Sequence, residues 1–139
     1  MKTFKEERIT CQKKIILDYL KNAHCHPSAE KVFKDVEKKL PRISKGTVYR
    51  VLNNLKEKEK IRVLTLRGFS RYDGDVSQHS HFVCQKCKIV FDVFNFSNTF
   101  KNSIKNKKIK VGKINNYEIF LYGICKKCSK DKKRKEYLK

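Results

Sequence analysis

Two cysteine pairs constrain this chain more than any other feature: Cys84-x-x-Cys87 and Cys125-x-x-Cys128. A two-residue spacer lets both thiolates of a pair face one ion, and four thiolates suit tetrahedral zinc at Zn–S distances of about 2.3 Å. Thirty-seven residues separate the pairs, against roughly 15–20 in a zinc-ribbon loop. The fold must therefore return the second pair to the first, which makes zinc a tertiary staple rather than the centre of a small finger. The alternative is two independent redox dithiols, or buried apolar cysteines. Cys11 and Cys25 have no such partners and are expected near the first helices, as small apolar or partly exposed residues with no assigned role.

A chain of 139 residues forms one large domain or two small ones, and a small domain has too thin a core to dispense with help from a metal or a second subunit. The formal charge of +21 attracts polyanions, of which nucleic acid is the commonest and a membrane surface the competitor. Residues 1–75 carry nineteen basic and ten acidic side chains and residues 76–139 sixteen and four, net +9 and +12. Charge alone therefore does not locate a binding face. No run approaches the roughly 20 apolar residues of a membrane span, and MKTFKEERIT lacks the apolar core of a signal peptide. A cytoplasmic location is expected, where six cysteines favour metal or redox chemistry over disulfides.

Ile15, Ile16, Tyr19 and Leu20 share one face of a helix expected over residues 10–24 with Thr10 as N-cap. Ser28 caps a second helix that buries Val32, Phe33, Val36 and Leu40 and ends at Pro41. Ser44 opens a third, with Val48, Val51, Leu52 and Leu55 inward and Tyr49, Arg50, Asn53 and Asn54 on its other faces. Two short strands from Ile61 to Asp73 turn near Arg67-Gly68, with Val63 and Phe69 expected inward. Three helices and a hairpin make a winged helix-turn-helix over residues 1–75. The rest, 76–139, is a second domain with strand-like runs, including a strand over 117–124 after a turn at Asn115-Asn116, a weaker one through Ile109 and Val111, and a short helix around 98–106. The lysine-rich tail from Lys126 is expected to be solvated and mobile. The fold class is α/β (α+β).

The histidines fall into two clusters, His24-x-His26 and His79-x-His81. Strand alternation puts His79 and His81 on one side, and Asp73 and Asp92 flank them in sequence. Mixed imidazole and carboxylate ligation favours iron or manganese over the soft all-thiolate environment. Taken singly these are ordinary surface polar residues; their clustering beside the first cysteine pair favours a metal site.

In order along the chain, RIT-x-QKKIILDYL, HPSAEKVF, S-x-GTVYRVLNNL, SRYD, H-x-HFVCQKC and YGICKKC resemble the ferric-uptake-regulator family from Arg8 to Cys128. Within it the chain looks most like the peroxide-sensing branch. The resemblance implies a homodimer binding double-stranded operator DNA, a hinge between the domains, and repression by the metallated form. It implies a regulatory Fe2+ or Mn2+ site at His26, Asp73, His79, His81 and Asp92, beside structural Zn2+ at Cys84, Cys87, Cys125 and Cys128. Asp92 stands where iron-uptake relatives generally carry Glu. Peroxide, the signal, is expected to oxidise His26 or His81 through the bound iron; the protein is then a sensor and not an enzyme, with no other small-molecule substrate and no membrane partner. Lys45, Thr47, Tyr49, Arg50 and Asn53 are the candidate DNA contacts. The chain departs from the family at Cys11, where Pro is usual, and at Glu59 and Lys88, where Gly is usual. Tyr49-Arg50 is closer to the iron-uptake branch, so an iron- or zinc-uptake regulator is the rival reading. A thiol oxidoreductase is the rival from another class, without the βαβ context such dithiols need.

Overall fold

The computed structural model describes residues 3–23, 25–96 and 112–131. The chain divides into two compact units, Met1–Ser77 and Gln78–Lys139.

The first unit runs α1 (Phe4–Asn22), α2 (Ala29–Val36), α3 (Lys45–Glu57), β1 (Arg62–Leu66) and β2 (Phe69–Asp73). Helix α1 begins six residues before the expected cap at Thr10. The Lys- and Glu-rich segment ahead of Thr10 consists of good helix formers with no Gly or Pro to stop it, so Thr10 lies inside the helix. Ser28 caps α2 by accepting the Lys31 N–H at 3.2 Å. That helix stops at Val36 rather than continuing to Pro41, because the chain tightens there into a turn in which Val36 C=O accepts from both Lys39 and Leu40. Leu40 still packs on the core. Ser44 caps α3 through the Thr47 N–H at 3.1 Å, and Val48, Val51, Leu52 and Leu55 are buried as the periodicity requires.

Ile16, Leu20, Val32, Val36, Leu52 and Tyr72 lie at the heart of this core, with Val63 packed against it. In the antiparallel β1–β2 register Val63 opposes Tyr72 and Leu66 opposes Phe69. Directly opposed residues share a face, and the faces alternate along a strand. Phe69 therefore points to the side opposite Val63, the side on which Leu64 and Leu66 are buried, so that both residues are half-buried but on different faces of the hairpin. The turn at Arg67-Gly68 uses the glycine at φ 81°.

A hydrogen bond ties α1 to α2: the Tyr19 hydroxyl donates to Asp35 Oδ2 at 2.6 Å. That bond, with Lys31 and Lys38 nearby, holds the Asp35 carboxyl below its ordinary value. Helix α3 ends in a Schellman motif: Glu59 N–H bonds Lys56 C=O and Lys60 N–H bonds Leu55 C=O, both at 2.9 Å. Glu59 occupies the left-handed position at φ 56°, where glycine carries no Cβ penalty.

The second unit has a three-stranded sheet, β4-β3-β5, from β3 (Ser80–Cys84), β4 (Val90–Val93) and β5 (Phe120–Gly123), then a single helical turn α4 (Lys126–Ser129). β3 pairs antiparallel with β4 and parallel with β5. The strand expected over 117–124 is confined to Phe120–Gly123; ahead of it the Ile119 carbonyl accepts the His81 N–H at 3.1 Å. Lys126–Ser129 is helical, not the start of a mobile tail, because Cys125 caps that turn with its sulfur. The helix expected around 98–106 and the strand through Ile109 and Val111 lie outside the described residues.

Two stability outcomes follow. Glu59→Gly should raise the stability of the first unit by about 1 kcal/mol, the cost of a side chain in the left-handed region, read by chemical denaturation. Tyr19→Phe should lower it by about 1 kcal/mol. Since the Asp35 carboxyl is depressed in the fold, the stability it gives is complete above its unfolded value near 3.8 and is lost as pH falls through its folded value. The Tyr19→Phe deficit should therefore shrink as pH drops below about 4.

Candidate metal centre and recognition helix

Cys84 ends β3 and Cys87 closes the turn that follows, while Cys125 comes two residues after β5 and Cys128 sits within α4. The parallel register places Cys84 opposite Gly123, which brings the second pair beside the first. Gly123 lets the chain pass close to Phe82, since a Cβ there would lie 3.1 Å from the edge of that ring. The four sulfurs lie within 4.8 Å of one another, and Cys87 Sγ is 3.8 Å from Cys125 Sγ. A tetrahedron with Zn–S of about 2.3 Å has an S···S edge of about 3.8 Å, so the donors fit zinc in kind, number and spacing. The cysteines form one cluster, not two separate dithiols.

The local electrostatics also suit a cation. Burial disfavours the Cys84 thiolate, but backbone N–H groups of Cys125, Cys87 and Lys86 outweigh it and bring the thiol down to about 6. Burial and the neighbouring cysteines push Cys128 up to about 12. Four thiolates therefore coexist only with a positive ion among them. Phe82, Ile89 and Ile124 pack around the sulfurs.

The imidazoles and carboxylates form one group in each unit. In the first, His26 Nε2 lies 3.3 Å from Asp73 Oδ2. The Tyr72 N–H bonds the Pro27 carbonyl at 2.9 Å and so holds the end of β2 against the loop that carries His26. Asp73 Oδ1 accepts the Asp75 N–H at 2.9 Å. At Gly74 a Cβ would lie 2.6 Å from the Leu20 backbone, so only glycine lets the chain after Asp73 approach α1 this closely. In the second unit, His81 opposes Asp92 across β3–β4. Asp92 Oδ1 is 2.9 Å from His79 Nε2 and 3.4 Å from His81 Nε2. Donors about 2.1 Å from one ion and adjacent in an octahedron lie about 3.0 Å apart, so this trio too fits a metal. The sequence reading missed Phe94 and Phe120, which stack on His79 and His81 at 5.2 and 5.8 Å; period-two spacing from Asp92 signals Phe94.

Of the recognition-helix candidates, Tyr49, Arg50 and Asn53 are exposed on one face of α3. Lys45 lies over the Phe33 ring at 5.8 Å and 3.8 Å from Glu30. Thr47 is half-buried, and its hydroxyl is 2.9 Å from that of Ser44, so part of its bonding capacity serves the cap. Cys11 and Cys25 are exposed. Lys88, like Glu59, has a positive φ, 63°.

Three helices with a two-stranded wing, followed by a small sheet closed by four cysteines, define a winged-helix protein with a metal-stapled second unit. The chain belongs to the ferric uptake regulator family, whose sequence model matches residues 5–122. It is 33% identical over 133 residues to the peroxide operon regulator of Bacillus subtilis, covering 94% of this chain and 91% of that one. The peroxide-responsive repressor PerR of Staphylococcus epidermidis is 29% identical, covering 89% and 83%. Among solved structures, the Campylobacter jejuni peroxide stress regulator matches with a TM-score of 0.71 at 27% identity, over 89% of this chain and 93% of that one. The Helicobacter pylori ferric uptake regulator shares the fold, with a TM-score of 0.75 at 23% identity over 88% and 82%.

Cys84→Ser or Cys128→Ser should release zinc and abolish the cooperative melting of the second unit, because a structural metal's binding energy is folding energy. Zinc stoichiometry with calorimetry checks this, and a zinc-free variant that melts like the parent would contradict it. Zinc retention should fall with falling pH, as protons compete for the thiolates.

Proposed function

We propose that this protein is a homodimeric, metal-dependent repressor that binds operator DNA and releases it on exposure to hydrogen peroxide. The observation that carries the reading is Asp92, an aspartate and not a glutamate, held against both His79 and His81 in a chain whose curated relatives are named as peroxide regulators.

In this reading Cys84, Cys87, Cys125 and Cys128 hold Zn2+ and keep the second unit folded. His26 and Asp73 from the first unit join His79, His81 and Asp92 from the second in holding one Fe2+ or Mn2+. Sharing one ion fixes the angle between the units, and in a dimer that angle sets the spacing of the two α3 helices, which must match two half-sites. Tyr49, Arg50 and Asn53 then meet base edges, with Lys45 and Thr47 nearer the backbone. Ferrous iron, when bound, supplies the electrons that activate peroxide. His26 or His81 takes up the resulting oxidation, and an oxidised imidazole is a poorer donor, so the units part and the helices lose their spacing. The reaction consumes the protein's own side chain, which makes the chain a cytoplasmic sensor and not a catalyst.

Tyr49-Arg50 favours a second reading, an iron- or zinc-uptake repressor of the same build. The test that separates them is operator binding by the iron and manganese forms before and after micromolar peroxide, with mass spectrometry of the His26 and His81 peptides. Peroxide should release only the iron form and add oxygen to one of these histidines. Asp92→Glu, one methylene longer, should keep metal-dependent binding and blunt the release. An iron form that keeps its operator affinity and unmodified histidines overturns the peroxide reading in favour of metal uptake.

A further inference from the structure

The cysteine knuckles carry a second feature that the metal does not use. Lys86 and Lys88 lie in and just after the first, and Lys126, Lys127 and Lys130 in and just after the second. With the four sulfurs within 4.8 Å, two segments 41 residues apart in sequence are gathered at one end of the sheet, and their lysines with them. Lys88, Lys126, Lys127 and Lys130 are exposed and Lys86 is half-buried. Across residues 84–88 and 125–131 the five lysines meet one acidic side chain, Asp131. A zinc tetrathiolate has a formal charge of −2, which offsets only part of this.

Lys88 adds a separate observation. It sits at φ 63°, a conformation that costs a side chain about 1–2 kcal/mol and glycine almost nothing. Like Glu59 and Asn95 it holds this position without glycine, and here the side chain so placed is an exposed cation beside the first knuckle. The second half of the chain is also more basic than the half with the recognition helix, net +12 against +9.

We propose that the lysines of the two knuckles form a platform that binds the phosphates of duplex DNA without regard to sequence. The proposal rests on the reading of the chain as a DNA-binding protein and adds a second, sequence-independent contact outside the winged unit. Lysine suits this role, since its ammonium is a compact point charge that asks no base-edge geometry of its partner. The platform is assembled by the thiolate cluster, so zinc loading and this affinity are linked.

The test uses zinc-loaded full-length protein and a random-sequence duplex, with the affinity followed across a potassium chloride series. Each phosphate contact adds about 0.9 to the slope of log K against log salt. Replacing Lys88, Lys126, Lys127 and Lys130 by Gln should therefore lower the slope by about 3–4 while zinc content stays the same. An unchanged slope overturns the proposal, and so does an unchanged slope with lost binding to phosphatidylserine vesicles, which would assign the platform to a lipid surface. If the fourfold variant loses zinc, Lys127→Gln with Lys130→Gln is read in the same way, an expected fall of about 2 against none. Operator binding by the parent is measured in parallel; its absence overturns the repressor reading, whereas an unchanged random-duplex slope overturns the platform alone.

Discussion

The second unit depends on one constraint, that two cysteine pairs far apart in sequence must meet at four sulfur atoms. Parallel strands cannot be joined by a tight turn, so the β3–β5 pair has to be closed by a long excursion. The ends of that excursion are the two knuckles. The close cysteine contacts, Cys125 N–H to Cys84 Sγ at 3.4 Å and Cys128 N–H to Cys125 Sγ at 3.5 Å, show the backbone already turned to favour negative sulfur. A metal there offsets the loop-closure entropy that a sheet of three short strands, four or five residues each, has little apolar area to oppose.

That constraint reaches the imidazoles. His81 stands three residues before Cys84 on the same strand, and its partner Asp92 is set by the β3–β4 register. A slip of one residue would turn every side chain of β4 to the other face, taking Asp92 away from both rings. Cys84 N–H bonded to Ile89 C=O at 3.0 Å closes the knuckle and fixes that register. The backbone of the first knuckle thus bears on the imidazoles too, because the register it closes sets Asp92 opposite His81.

Much of this was legible before the structure. The Ser28 and Ser44 caps and the inward face of α3 are short-range signals that the structure carries as read, and it gathers the four cysteines into one cluster and both His79 and His81 against Asp92. What was not legible depends on longer-range context. Thr10 is a good N-cap residue by chemistry, yet the helix formers ahead of it made the helix longer. Val63 and Phe69 are both apolar enough to point inward, but that they lie on opposite faces of the hairpin follows from the pairing of Phe69 with Leu66 and of Val63 with Tyr72. Cys125 as a helix cap could not be read from a lysine-rich segment, because the cap follows from where the sulfur is held and not from local propensity. Left-handed positions such as Glu59 and Lys88 lack the glycine that would have announced them.

Gly74 has a mechanical meaning as well as a steric one. Chain that presses on the Leu20 backbone with no side chain between them has no compliant layer to absorb displacement. Asp73 is one residue away, and Tyr72 beyond it is bonded to the loop bearing His26. A tilt of α1 is therefore passed on undamped to the wing and to the His26–Asp73 pair, so that helix, wing and donor atoms move as the parts of one stiff lever.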